Sequence, residues 1–375
     1  MTSLATSRGV VPTPDPFLED QNRWASSISG TGPVRRLEEK FAALVGHPRA
    51  LAVANATLGI WAIFHALDIH GADVITTPYT WGGTLAGLLM SGNRPVFVDI
   101  DPKTLTLDPD KVERALTRRT KAILAVDIYG QPSDGAALRD LADQHGGVHL
   151  VQDCAQSFGA YMGRHHTGFW ADAAVFSLGW RKALFAGEGG VVACRNHALY
   201  EKLVWLTQHP LRQRRDVPEL PSNEMAMNLR MHPVAAAWAD DTFDAALGEV
   251  DRRRKSCLTS LQFLKDAGLS RTSVDLTLKT RPSFASISFD PTRSQTKIDL
   301  ALVKAGLGWH VSPPPVKQLV YQQEAFQILS AQDGGATKPI CPVAEAQCRR
   351  RLQLITTESA DAGHPERESG ADHGR

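Results

Sequence analysis

Short apolar runs alternate with amphipathic stretches over the first two thirds of the chain. Leu37, Phe41 and Leu44 recur at helical spacing, which predicts a helix over Val34–Val45. From there the pattern predicts strands at Ala50–Val53, Val74–Thr77, Val96–Val98, Ala122–Val126, Val148–Val151, Ala174–Phe176 and Gly190–Val192. Between and after them it predicts helices at Leu58–Leu67, Gly83–Met90, Pro109–Leu116 (begun by Asp108), Ala137–His145 and Ala198–Thr207. The strands are short and apolar on both faces, with a helix after nearly every one. That pattern predicts an α/β fold, a mainly parallel seven-stranded sheet covered on both sides by helices.

Past residue 208 the punctuation changes. His209–Ser222 is dense in Arg and Pro and reads as a solvated basic loop, with a phosphate or carboxylate site at Arg212, Arg214 and Arg215 as the alternative. A long helix is expected from Pro233 to about Leu264, with Pro233 suited to its first turn. It would link a large domain to a smaller α/β domain with strands near Ser283–Ser288 and a helix near Lys297–Ala305. The expected division is an extended arm over 1–33, a large domain over 34–240, a small domain over 241–355 and a polar, disordered tail over 356–375. His165-His166, beside Gly163, reads as a solvated hairpin tip.

Composition narrows the function. The 375 residues carry a net charge of +1, so no broad field favours nucleic acid or a membrane surface. No run of about 18 apolar residues occurs, and the N-terminal residues lack the basic-then-apolar pattern of a secretory signal. Five scattered cysteines without CxxC spacing argue against a disulfide framework and a zinc site. A cytoplasmic protein without a bound metal is expected.

Several strand ends carry chemistry. Lys182 follows the strand ending at Phe176-Ser177, in a Gly-rich loop. Alone it reads as a solvated loop lysine; part-buried beside another cation, it becomes a nucleophile and proton carrier. Asp153 ends the strand Val148–Val151, where a carboxylate either caps a turn or keeps a heterocyclic nitrogen protonated. Gln156, three residues on, can hydrogen-bond a ring hydroxyl. Asn55-Ala56-Thr57 precedes a helix, whose first N–H groups suit either a phosphate or a plain N-cap. Ser177 is a second phosphate candidate. Trp81, after another strand end, reads as a stacking surface or as a core or interface indole.

Taken in order, these segments resemble the DegT/DnrJ/EryC1/StrS family of fold-type I pyridoxal-phosphate enzymes, best known as sugar aminotransferases. The resemblance runs from about Val10 to Ile355 and rests on quoted residues. Pro95-Val96-Phe97-Val98-Asp99-Ile100-Asp101 resembles a PVFVDVD strand, and Tyr129-Gly130-Gln131-Pro132 its YGQ/HP turn. Gln152-Asp153-Cys154-Ala155-Gln156 resembles EDAAQ, Phe176-Ser177 through Lys182 with Gly187–Gly190 resembles FSF-x-x-x-K…GEGG, and Asn228-Leu229-Arg230-Met231 resembles N-Y-R-M.

The resemblance implies pyridoxal 5'-phosphate as cofactor, attached through Lys182. Asp153 would pair with the pyridine nitrogen, Gln156 would face the ring hydroxyl and Trp81 would stack on the ring. Thr57, the Ala56 amide and Ser177 would hold the phosphate. Asn228 would reach the neighbouring subunit's cofactor, implying a homodimer with shared sites; read without the family it is a helix N-terminal residue. The implied reaction moves an amino group from Glu or Gln to a keto sugar or keto cyclitol, in secondary-metabolite (antibiotic) or polysaccharide biosynthesis. Related sugar dehydratases carry His where this chain has Lys182. Three departures stand out: Ala56 replaces a usual Gly, Gly179-Trp180-Arg181 replaces smaller polar residues, and Val311–Val316 lacks the family's aromatic and histidines. A lyase or aromatising synthase on the same fold, or a non-catalytic cofactor-binding regulator, are the alternatives.

Overall fold

The computed structural model describes residues 28–272, 280–283, 287–312, 316–331 and 340–356. Helix α1, Gly32–Val45, has Pro in its first turn, where a missing N–H disrupts nothing, and stops at Gly46 in the left-handed conformation (φ 80°). The strands follow as β1 Arg49–Val53, β2 Asp73–Thr76, β3 Arg94–Phe97, β4 Thr120–Val126, β5 His149–Asp153, the two-residue β6 Tyr161–Met162 and β7 His165–His166, then β8 Ala173–Ser177 and β9 Gly190–Cys194. Helices α2 Ala56–Ala66, α3 Gly82–Met90, α4 Pro109–Ala115, α5 Gly135–Gln144 and α6 His197–Thr207 alternate with them. The side chains of Asn55, Asp108, Asp134 and Asn196 each accept a first-turn N–H, at the N-termini of α2, α4, α5 and α6 respectively.

Seven strands form the main sheet in the order β1-β9-β8-β5-β4-β2-β3. β9 runs antiparallel to both its neighbours; the remaining pairs are parallel. The expected mainly parallel seven-stranded sheet is therefore present. Alternate strand residues feed two cores. Ala174 and Phe176 of β8 pack with Phe41 and Phe243 on one face, while Ala173 and Val175 pack with Ile63 and Phe64 on the other. Every parallel strand thus points its C-terminal end toward the same edge of the sheet, where α/β folds hold ligands.

The Arg-rich stretch after residue 208 differs from expectation. It contains helix α7, Pro210–Asp216, and Arg212 is 0% exposed. Its guanidinium reaches Glu38 at 2.8 Å, Asp216 at 3.1 Å and the Tyr200 hydroxyl at 3.1 Å. Two carboxylates and a phenol waiting in one buried spot outweigh the cost of desolvating one planar cation. Arg212→Ala would leave Glu38 and Asp216 without that partner. We expect a loss of about 3–5 kcal/mol of unfolding free energy in urea; a loss below about 1 kcal/mol would show that the network carries little stability.

His166 is also not at a solvated tip. It is buried in β7, with Nε2 accepting from the Gly159 N–H at 3.0 Å and Nδ1 donating to the Thr167 carbonyl at 2.7 Å. The turn is Gly163-Arg164, and His165 already belongs to β7, where its ring stacks on Phe169 at 3.9 Å. Burial pushes the His166 pKa down to about 4. Between pH ~6.5 and ~4 the unfolded chain binds this proton and the folded chain does not, so stability falls as pH falls through that window. The effect is up to about 3 kcal/mol. Urea titrations at pH 7 and pH 5 should show the drop, and His166→Asn should flatten it; an equal drop in the variant would place the pH dependence elsewhere.

Helix α8, Pro233–Asp266, runs unbroken from the first core to a separate apolar cluster. There Cys257, Leu261 and Leu264 meet Phe289, Ile298, Leu302, Trp309, Val311 and Leu354. A short strand β10, Thr280–Arg281, pairs with β6. Strand β11 (Ile287–Phe289), helix α9 (Gln295–Lys304), strand β12 (Trp309–Ser312), helices α10 (Glu324–Ala331) and α11 (Pro342–Arg350) and strand β13 (Leu352–Thr356) follow. The antiparallel sheet β11-β13-β12 includes Thr356, which was expected to begin the tail. Residues 1–27 of the expected arm, residues 284–286 of an expected strand, 313–315 and the tail beyond 356 lie outside the described residues.

Candidate active site

Five loops converge at the C-terminal edge of the sheet. Ala56, Thr57, Trp81, Asp153, Gln156, Ser177 and Lys182 line one cleft of about 410 Å³, within the size range of small-ligand sites. A groove of similar size at the opposite sheet edge is lined by His70, Arg94, Arg119 and Lys121, but Arg94 and Arg119 are both held by Asp73 and, among the described residues, no buried acid lines it.

At one end of the cleft, helix α2 presents its N-terminus. The Asn55 side chain takes the Leu58 N–H at 2.9 Å. The amides of Ala56 and Thr57, with no intrahelical acceptor, remain for an anion together with the hydroxyls of Thr57 and Ser177. Two glycines make this end possible. A Cβ on Gly190 would lie 2.8 Å from the Ala56 nitrogen, and one on Gly83 2.8 Å from Thr57 Oγ1. Asn55 is thus the N-cap, and Thr57 is free of that task.

Toward the other end, Asp153 is buried. Its Oδ2 accepts from Thr84 Oγ1 at 2.7 Å and its Oδ1 from the Ala155 N–H at 3.0 Å. Burial raises its pKa, while the two hydrogen bonds and the Lys182 charge pull it back. Lys182 is partly buried, and desolvation lowers its pKa against the opposing pull of Asp153. Burial favours the neutral forms; the attraction between the two favours the charged ones. Gln156 Oε1 accepts the Tyr129 N–H at 2.8 Å, which leaves its NH₂ as the group able to meet a ligand oxygen. Trp81, the residue before α3, is 66% exposed and offers a free indole face.

Asn228 is not brought to this cleft within one chain. It sits in an exposed loop in the left-handed conformation (φ 55°), its Oδ1 accepting from Arg230 at 2.6 Å. The helix nearby is capped by His232 instead. The polar cleft residues Thr80, Thr84, Asp127 and Glu188 were not singled out as site residues from the sequence. Asp127 is buried at the end of β4 and accepts from the Ser133 N–H, Gln152, Ser157 and Thr167, while its own N–H donates to the Asp153 carbonyl at 3.0 Å. A Thr in the first helical turn after a strand end, and an Asp at another strand end, were the signals available. Among the described residues no group of three or more His, Cys, Asp or Glu is arranged to hold a metal ion.

The residues present suit pyridoxal phosphate: an anion-binding helix start, a buried carboxylate, an exposed indole and one lysine around a single cleft. Comparison with known proteins agrees in kind. Residues 20–364 match the family described as the DegT/DnrJ/EryC1/StrS aminotransferase family. GDP-perosamine synthase of Vibrio cholerae is 31% identical over 208 residues, which cover 52% of this chain and 56% of that protein, so the match spans little more than half the length of that curated relative. The structure of DesI in the presence of its TDP-sugar product superposes with a TM-score of 0.70 at 28% identity, covering 90% of this chain and 85% of that one. GDP-4-keto-6-deoxy-D-mannose-3-dehydratase of E. coli with bound hydrated PLP gives a TM-score of 0.74 at 19% identity, covering 90% and 92%; that likeness is one of fold.

Proposed function

The chain belongs to the DegT/DnrJ/EryC1/StrS aminotransferase family, and from that premise we propose that it is a pyridoxal-phosphate-dependent aminotransferase acting on a keto sugar or keto cyclitol, with glutamate or glutamine as donor. The observation that carries the reading is Lys182 and the buried Asp153 lining one cleft whose far end is a helix N-terminus. When bound, pyridoxal phosphate supplies an aldehyde for the amine and a ring that takes up the electrons of the broken Cα–H bond. Ala56, Thr57 and Ser177 anchor the phosphate, and Trp81 covers the ring. Asp153 holds a proton on the ring nitrogen, and the Gln156 NH₂ steadies the ring oxygen. Lys182 would hold the cofactor's aldehyde carbon, and its amine is the group in the cleft placed to carry a proton to and from the substrate carbon.

Retention of lysine at 182 supports transfer over dehydration, since the dehydratases of this family carry His there. The exposed, strained Asn228 supports a second reading of its loop, as a contact reaching a partner's cleft in a homodimer. Five free cysteines fit a reducing cytoplasm, and no helix among the described residues is long and apolar enough to cross a membrane.

The test is a half-reaction. Holoenzyme given glutamate or glutamine alone should release one equivalent of the corresponding oxo acid per site and then stop. A keto sugar or cyclitol should restart turnover and gain an amine by mass spectrometry. A wild type that releases no oxo acid from either donor, or an acceptor product that gains no nitrogen, would overturn the reading.

A further inference from the structure

We propose that Trp180 and Arg181 are specificity-determining residues that recognise an anionic group carried by the acceptor. The inference rests on the aminotransferase reading and deepens it. Arg181 immediately precedes Lys182, and its backbone is in the left-handed conformation at φ 63°. A non-glycine residue with a long side chain is rarely held there, and such positions persist where a surrounding structure needs the side chain aimed one way. The guanidinium lies 5.1 Å above the Trp180 ring. Both residues are exposed, Trp180 at 61%, and Trp180 lines the cleft. No carboxylate among the described residues lies in salt-bridge range of Arg181. Glu188, exposed in the same cleft, makes no ion pair with it either.

Arg181 does not itself line the cleft, but its guanidinium sits on the indole of Trp180, which does, and no carboxylate among the described residues holds it there. The pair is a suitable receptor for a flat ring bearing a phosphoryl or carboxylate group: the indole takes the flat face and the guanidinium the anion. The cofactor's phosphate has its own anchor at Ala56, Thr57 and Ser177. An amino-acid donor carries carboxylates but no ring, so the indole assigns the pair to the acceptor.

The experiment uses holoenzyme of the wild type, Arg181→Gln, Arg181→Lys and Trp180→Ala, each shown to hold cofactor by its visible absorbance. Inorganic pyrophosphate is titrated by calorimetry and by tryptophan fluorescence. The proposal expects binding to the wild type, roughly 10- to 100-fold weaker binding to Arg181→Gln, and partial recovery in Arg181→Lys. With keto-sugar acceptors, kcat/KM should fall by a similar factor in Arg181→Gln for a hexose phosphate, a carboxylated sugar or a nucleoside-diphosphate sugar, whichever the wild type accepts. The same change should leave uncharged keto sugars unaffected, and the three charged arms identify the source of the anion. A loss confined to the donor half-reaction, equal pyrophosphate binding by Arg181→Gln, or an equal loss on uncharged acceptors would each overturn it. Failure of the aminotransferase reading shows separately, as a wild type that releases no oxo acid from any donor while the pyrophosphate titration still reports on Arg181.

Discussion

Replacing Lys182 with alanine is expected to remove the visible absorbance of the cofactor-loaded protein and to lower amine transfer by roughly 10⁴-fold, the upper end of what a positioned acid–base group contributes. The size follows from the double use of one amine. Among the described residues it is the only lysine lining the cleft, so no neighbour there can take over either the attachment or the proton. Burial lowers its pKa, which raises the fraction of neutral amine near neutral pH, while the Asp153 charge keeps the shift from running away. Absorbance spectra and single-turnover oxo-acid release would measure both losses. An alanine variant that kept the band and its rate would remove Lys182 from the mechanism.

The second large effect is expected from Asp153→Asn. The amide has nearly the shape of the acid but no charge with which to hold a proton on a ring nitrogen. A fall in kcat of about 10²–10³-fold, comparable to losing one preorganised electrostatic contact, is the expected result. Part of the cofactor affinity should survive, because the phosphate end is built from other residues. The pH profile gives the sign. Burial raises the Asp153 pKa, so the ionised form is lost as pH falls through that raised value. Wild-type activity should therefore decline on the acid side, and Asp153→Asn should lack that limb. An unchanged acid limb in the variant would assign it to another group, and a wild-type rate would remove the electrostatic role.

Sequence range explains why Asp153 and the phosphate end of the cleft are legible in the sequence. Asp153 and Ser177 end parallel strands, and the α/β pattern alone sends such residues to one edge. Asn55-Ala56-Thr57 lies between a strand and a helix, so its N–H groups are available by local geometry. The strands of the main sheet and the helices between them came through for the same reason, their ends moving by one or two residues, whereas the strand expected near Ser283–Ser288 is found at Ile287–Phe289. What was not legible depends on partners far away in sequence. Thr84 matters because Asp153, 69 residues on, accepts its hydroxyl. Arg212 is buried because Glu38, 174 residues earlier, lies beside it; composition around Arg212 pointed to solvent, and the tertiary pairing overruled it. His166 looked like a turn because Gly163 is one, yet Gly159 and Thr167 supply its donor and acceptor. The left-handed backbone at Arg181 has no signature in residue type; at Asn228 the type permits it but does not require it.

The covalent site is the most exposed part of the account. Holoenzyme treated with borohydride, digested and analysed by mass spectrometry should carry the reduced cofactor's mass on the single peptide containing Lys182. Label on a different lysine, or none on any peptide of a protein that retains its colour before reduction, would contradict the account at its root.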